Sequence, residues 1–178
     1  MSDREIEARL NAYPLIKQRL TELLTFIENA SDEVTPAMEL QLDKALRLLG
    51  RAALQSWAER QNQRTEQVIR ARGQVCREGY KKLYWHTSFG IIGIDEPQYR
   101  SGTQRIRPFA QSAKVRNRSC SSALERRVLD LGPDRSLSQV VRALADRDQI
   151  VLSVSTVRRI LQSSPARSLV KIRNVSVP

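Results

Sequence analysis

The sequence predicts a mainly α-helical fold with one small antiparallel β-sheet. Three observations carry that expectation. Apolar residues recur at steps of three and four along residues 16–27, 42–57, 124–131 and 137–161, the period of an amphipathic helix. Residues 83–88 alternate instead: Leu83, Trp85 and Thr87 against Tyr84, His86 and Ser88, the period of a half-buried strand. Phe89-Gly90 and Ser101-Gly102 can each turn the chain between short extended runs. The expected organisation is an N-terminal helical region over 1–75, a β segment over 76–110, a helix-turn-helix domain over 111–164 and a tail over 165–178 that reads as disordered.

Residues 3–29 read as helix with a break near Tyr13, because Pro14 removes a donor and crowds the preceding turn. Beyond it Ile16, Leu20, Leu23, Leu24 and Ile27 form a stripe. Ser31-Asp32-Glu33 is a link, and Thr35-Pro36 starts a long helix running to about Arg72, with Gly73 placed to end it. Leu42, Leu46, Leu49, Ala53 and Trp57 share one side of that helix. A helix this long either folds back on the first as a hairpin or pairs with a second copy of the chain, so a homodimer through the N-terminal helices is one expected partner.

In the β segment Ile92, Ile94 and Glu96 alternate with Gly93 and Asp95. Pro97 cannot donate to a ladder, so this strand is expected at an edge, or to stop there. Arg105-Ile106-Arg107 reads as a third strand. Residues 110–122 are polar and basic and read as a linker able to follow a phosphate backbone, with Lys114, Arg116 and Arg118 at alternate positions. A helix follows from Ser122 to Leu131, with Leu124, Val128 and Leu131 inward, Arg126 and Arg127 outward, and Gly132-Pro133-Asp134 at its end.

Ser136 to Ser163 then reads as two short helices joined by a tight polar turn. Ser136 and Gln139 have capping-box spacing, and Leu137, Val140, Val141 and Leu144 line one face. Asp146 to Gln149 closes the first helix, and Ser153 or Ser155 caps the second. There Val154, Val157, Ile160 and Leu161 face inward, leaving Ser155, Arg158, Arg159 and Gln162 outside. This is the pattern of a helix-turn-helix, whose second helix fits the DNA major groove, about 12 Å wide. Arg158 and Gln162 are the candidates for base edges; Ser155, Thr156 and Arg159 for the backbone or groove edge; Arg116, Arg118, Arg126 and Arg127 for phosphate. The competing reading is an ordinary αα-hairpin whose arginines form a solvated face.

Charge favours a polyanion. The net charge is +11. It is unevenly spread, at net −3 over residues 1–50 and net +14 over residues 51–178. The expected partner is double-stranded DNA, with no membrane and no small-molecule substrate. Cys76 and Cys120 lie far apart and outside any Cys-x-x-Cys pair, and His86 is the single histidine, an ordinary strand residue rather than a base or ligand. No metal and no cofactor is expected. Two unpaired thiols fit a cytoplasmic protein.

The runs KKLYWHTSFGIIGIDEPQYR, RIRPFAQSAKVRNRSCSSALERRVLDLGPDRSLSQVVRAL and VSTVRRILQ together resemble the N-terminal part of insertion-sequence transposases of the Kra type. The shared patterns fall on Lys81–Gly90, Ile106–Phe109, Leu124–Ser136 and Val151–Ile160, and the resemblance covers about residues 76–163. It implies recognition of terminal inverted repeats. In that family an RNase H-like domain follows the helix-turn-helix and holds divalent metal with carboxylates from separate strands. Here no Asp or Glu follows Asp148, so the expectation is a DNA-binding fragment with no catalytic residue of its own. A stand-alone repressor derived from a transposase and a protein-interaction module are the alternatives.

Overall fold

The computed structural model describes residues 2–29, 36–71, 73, 75–113 and 120–163. These residues form seven helices and one three-stranded antiparallel sheet, a mainly α fold with a small β-sheet. Lys114, Arg116, Arg118, the link at 31–33 and the tail at 165–178 lie outside the described residues. The chain divides into two compact units, Met1–Tyr80 with Glu96–Phe109, and Lys81–Asp95 with Ala110–Pro178.

In the first unit, α1 (Asp3–Asn11) ends before Tyr13, and α2 (Pro14–Glu28) begins with proline at its first position, where the missing N–H has no helical acceptor to lose. The Tyr13 ring lies under the Arg60 guanidinium, 5.6 Å from its centroid, and its hydroxyl accepts from the same group. α2 packs on α3 (Pro36–Ala71), a 36-residue helix about 54 Å long. The seam places Leu15 and Arg19 beside Leu48, Ala52 and Gln55. It does not use the side of α3 on which the sequence groups its apolar residues: Leu42, Leu46, Ala53 and Trp57 are exposed and Leu49 is half-buried. A small residue at the contact, Ala52, lets two helix backbones approach more closely than a leucine row would.

The far end of α3 meets the sheet. Buried Tyr99 donates to Glu66 at 2.8 Å, and Arg70 pairs with the same carboxylate at 2.6 Å. The sheet runs β1 (Cys76–Thr87), β2 (Gly90–Ser101), β3 (Gln104–Ile106), in that spatial order. β2 therefore continues through Pro97 and is the central strand, against the expected edge or stop. β3 pairs only along Tyr99–Ser101, so at Pro97 that flank of β2 has no neighbouring strand among the described residues, and an absent N–H is tolerated there. Gly102 turns the β2–β3 hairpin at φ +59°, the left-handed region that favours glycine. Fully buried Glu96 is held by Arg107 at 2.7 Å, and Phe109 meets the Trp57 ring edge-on at 6.2 Å. A short α4 (Pro108–Ser112) stands where a linker was expected to begin; proline at its start is the local signal for it.

In the second unit, Leu83, Trp85 and Thr87 are buried while Tyr84 is exposed, as the alternation in the sequence requires. Three helices complete the unit: α5 (Ser122–Leu131), α6 (Leu137–Asp148) and α7 (Val154–Ser163). Among the described residues no helix is long and apolar enough to cross a membrane.

Candidate nucleic-acid interface

Each helix of this unit has its own start signal. Ser121 accepts the Leu124 N–H, at 3.2 Å, at the head of α5. Ser136 and Gln139 form the reciprocal capping box at the head of α6. Ser153, rather than Ser155, caps α7 by accepting the Thr156 N–H, and its hydroxyl also lies 2.9 Å from those of Ser155 and Thr156. Three hydroxyls thus gather at the positive end of the α7 dipole, a geometry suited to an anionic oxygen.

One core fixes the three helices. Leu124 and Val128 of α5, Val140 and Leu144 of α6, and Val157 and Ile160 of α7 are all buried together with Cys120. Side chains of this kind contribute about 1.5–3 kcal/mol each when fully buried. The connection from α6 to α7 is less polar than expected. Ile150 and Leu152 are buried in the same core, and only Val151 between them is exposed. Asp148 is the last residue of α6 and Gln149 takes a left-handed conformation (φ +53°). Its N–H reaches the Ala145 carbonyl, and the next N–H reaches that of Leu144. The turn is thus a buried structural part and not a solvated link. Gly132, after α5, sits against α7 so closely that a Cβ there would stand 2.4 Å from Leu161 Cδ2.

This core decides which side chains of α7 reach solvent. Ser155, Arg158 and Gln162 are exposed and Thr156 is half-buried. Ser155, Arg158 and Gln162 lie at steps of three and four, so they share one face. Val154, expected inside, is 40% exposed at the start of the helix. Arg159, expected outside, is half-buried, with its Nη1 atom out of reach of water. It lies near the Cys120 thiol, which burial and the Glu125 charge push up to about 11 against the pull of Arg159.

The two candidate arginines of α5 part company. Arg126 is exposed. Arg127 turns inward to Asp148, Nη2 to Oδ1 at 2.7 Å, and that carboxylate is 1% exposed. The pair ties the middle of α5 to the end of α6. Sequence reading missed it because the partners are 21 positions apart and each alone looks like a surface residue. Arg135, Arg147 and Arg158 add exposed positive charge on these helices and their links, and Arg142, also exposed, stands 3.5 Å from Asp146. Neither a family model nor a curated protein nor a solved structure matches this chain. Among the described residues no group of three or more His, Cys, Asp or Glu side chains converges as metal ligands would.

Proposed function

We propose that this chain binds double-stranded DNA by laying α7 in the major groove, as the DNA-recognition part of an insertion-sequence transposase. The observation that carries the reading is the exposed row Ser155, Arg158 and Gln162 on a helix whose opposite side is locked into a core. Arg158 and Gln162 have the reach and donor pattern for base edges. Ser155 and Thr156, at the head of the helix, suit a phosphate, and Arg126 an adjacent one. Arg159 belongs at the groove edge, and Arg127 acts by holding α5 and α6 together. The transposase assignment is supported by the sequence runs at Lys81–Gly90, Leu124–Ser136 and Val151–Ile160, and its DNA target would be the terminal inverted repeat. The reading places the chain in the cytoplasm, in keeping with two free thiols, Cys76 and Cys120.

Fluorescence anisotropy against a terminal-repeat duplex and a scrambled duplex tests the proposal. Tighter, salt-sensitive binding of the repeat is expected, and equal, salt-insensitive affinity for both would refute it. Arg158→Ala should cost about 1–3 kcal/mol and relax base preference, whereas Arg126→Ala should weaken all duplexes alike and lower the salt slope by about 1.

A dimeric regulator is the second reading, favoured by the exposed stripe Leu42, Leu46 and Trp57 on α3. α2 has 15 residues, about 22 Å, and cannot cover a helix of about 54 Å. A second copy presenting the same stripe would cover Leu42 and Leu46, and a dimer is what a regulator binding two half-sites requires. Sedimentation of the purified chain separates the two: a monomer at high concentration removes the dimer.

A further inference from the structure

We infer that the tip of the β1–β2 hairpin, Thr87–Gly90, is a second contact to the same DNA duplex, with Phe89 entering a groove and Lys82, farther down β1, reaching a phosphate. The inference rests on the DNA-binding reading above and adds a site to it.

Phe89 stands 44% exposed at the turn, next to Ile91 at 40%, while Trp85, Thr87 and Ile92 on the other side of the hairpin are buried. The turn that carries it is braced. The Thr87 hydroxyl donates to the Gly90 carbonyl at 2.8 Å and accepts the Phe89 N–H at 3.1 Å. Gly90 holds φ +106°, a conformation side chains rarely adopt. A large apolar group held out on a rigid turn has already lost the freedom that binding would otherwise remove.

Its position favours DNA as the occupant. β1 pairs with the chain just ahead of α5: His86 bridges Cys120, and the Ser121 N–H donates to the His86 carbonyl at 2.8 Å. Cys120 belongs to the core that holds Val157 and Ile160 of α7, and Arg159 of α7 acts on its thiol. The stem of the tip therefore adjoins the flank of the recognition helix, one residue round from exposed Arg158. Charge agrees. Lys82 is exposed, and the half of the hairpin nearest the turn, Leu83 to Ile94, holds no acidic residue, the first being Asp95. The Lys82 stem passes over Gly93 of β2, where a Cβ would stand 3.4 Å from Lys82 Cε. Apolar side chains on such projections are used to wedge between base steps in the minor groove, and nearby lysines neutralise the backbone.

The test uses the full chain and duplexes enriched by it from a randomised pool, with hydroxyl-radical footprinting and titration of the wild type, Phe89→Ala, Phe89→Leu and Arg158→Ala. Phe89→Ala should bind about tenfold more weakly and lose protection at one flank of the footprint, with an unchanged melting curve. Phe89→Leu, which keeps an apolar wedge, should recover most of the loss. Arg158→Ala should keep the flank and lose base preference. If Phe89→Ala binds within about twofold of wild type with its footprint intact, while Arg158→Ala is impaired, the hairpin contact is refuted and the DNA reading stands. Loss of affinity for single strands but not for duplex would also refute it. Failure of the wild type to enrich any duplex would remove both.

Discussion

The ion pair between Arg127 and Asp148 offers the sharpest separation of a folding arginine from one proposed to bind DNA. Arg127→Ala removes the guanidinium and leaves a carboxylate 1% exposed at the end of α6. That end carries the negative pole of the helix, so the carboxylate is opposed by the dipole as well as by burial once the guanidinium is gone. Breaking a fully buried pair by removing one member costs about 3–5 kcal/mol. Arg127 is 38% exposed, so water already screens part of the interaction, and a loss of about 2–3 kcal/mol is expected here. Asp148→Ala should cost less, because the arginine it frees can turn outward to solvent. The double variant should be more stable than the sum of the single losses by about 1 kcal/mol or more. Urea unfolding of the four proteins measures all three quantities. Salt-dependent anisotropy supplies the contrast, since Arg126→Ala should leave stability within about 0.5 kcal/mol and flatten the salt slope. If Arg127→Ala is as stable as wild type and changes the salt slope as Arg126→Ala does, the pair holds nothing, and Arg127 is the surface phosphate ligand that its place in the sequence suggests.

Gln149→Gly should stabilise the chain by about 0.5–1 kcal/mol, since glycine relieves a left-handed φ at the end of α6 at some cost in unfolded-state entropy; Gln149→Val should destabilise it, and thermal melts read both. At pH 8 a maleimide should label exposed Cys76 alone, because burial pushes the Cys120 thiol up to about 11; labelling of Cys120 at the same rate in the native protein would contradict its placement. Burial holds His86 below its ordinary 6.5, so the folded chain takes up that proton less readily than the unfolded one. Its contribution to stability is full above 6.5 and declines as pH falls from there toward the lowered value. His86→Gln should flatten unfolding free energy against pH across that interval, and an unchanged slope would refute the assignment.

The features legible in the sequence are those whose cause lies within a few residues. Pro14 breaks the first helix and starts the second, Ser136 and Gln139 cap each other, and Leu83, Trp85 and Thr87 alternate into the core, because each depends on backbone geometry over less than two turns or on a strand's period. The exposure of Arg158 and Gln162 belongs to the same class: once Val157 and Ile160 are inward, a period of 3.6 leaves them no other side. What the sequence concealed depends on partners supplied from far along the chain. Pro97 reads as a stop until it is known that the neighbouring strand pairs only along Tyr99–Ser101. The leucines of α3 read as a packing face until α2 is seen to seat against the Ala52 side.

Arg127 and Arg158 show where this boundary falls inside the proposed site. Both are arginines on short amphipathic helices, and periodicity places both away from the apolar stripe. One meets a carboxylate 21 positions later and turns inward, while the other is exposed. Helix period settles which side of a helix an arginine occupies, but only the packing of α5 against the end of α6 settles what it holds. A basic face read from sequence therefore overstates the charge offered to DNA by every arginine that closes an internal pair. In this unit the salt slope should follow the exposed cations, Arg126 and Arg158 among them, and be indifferent to Arg127 in any variant that keeps α5 and α6 together, such as one that replaces Arg127 and Asp148 by a well-packed apolar pair.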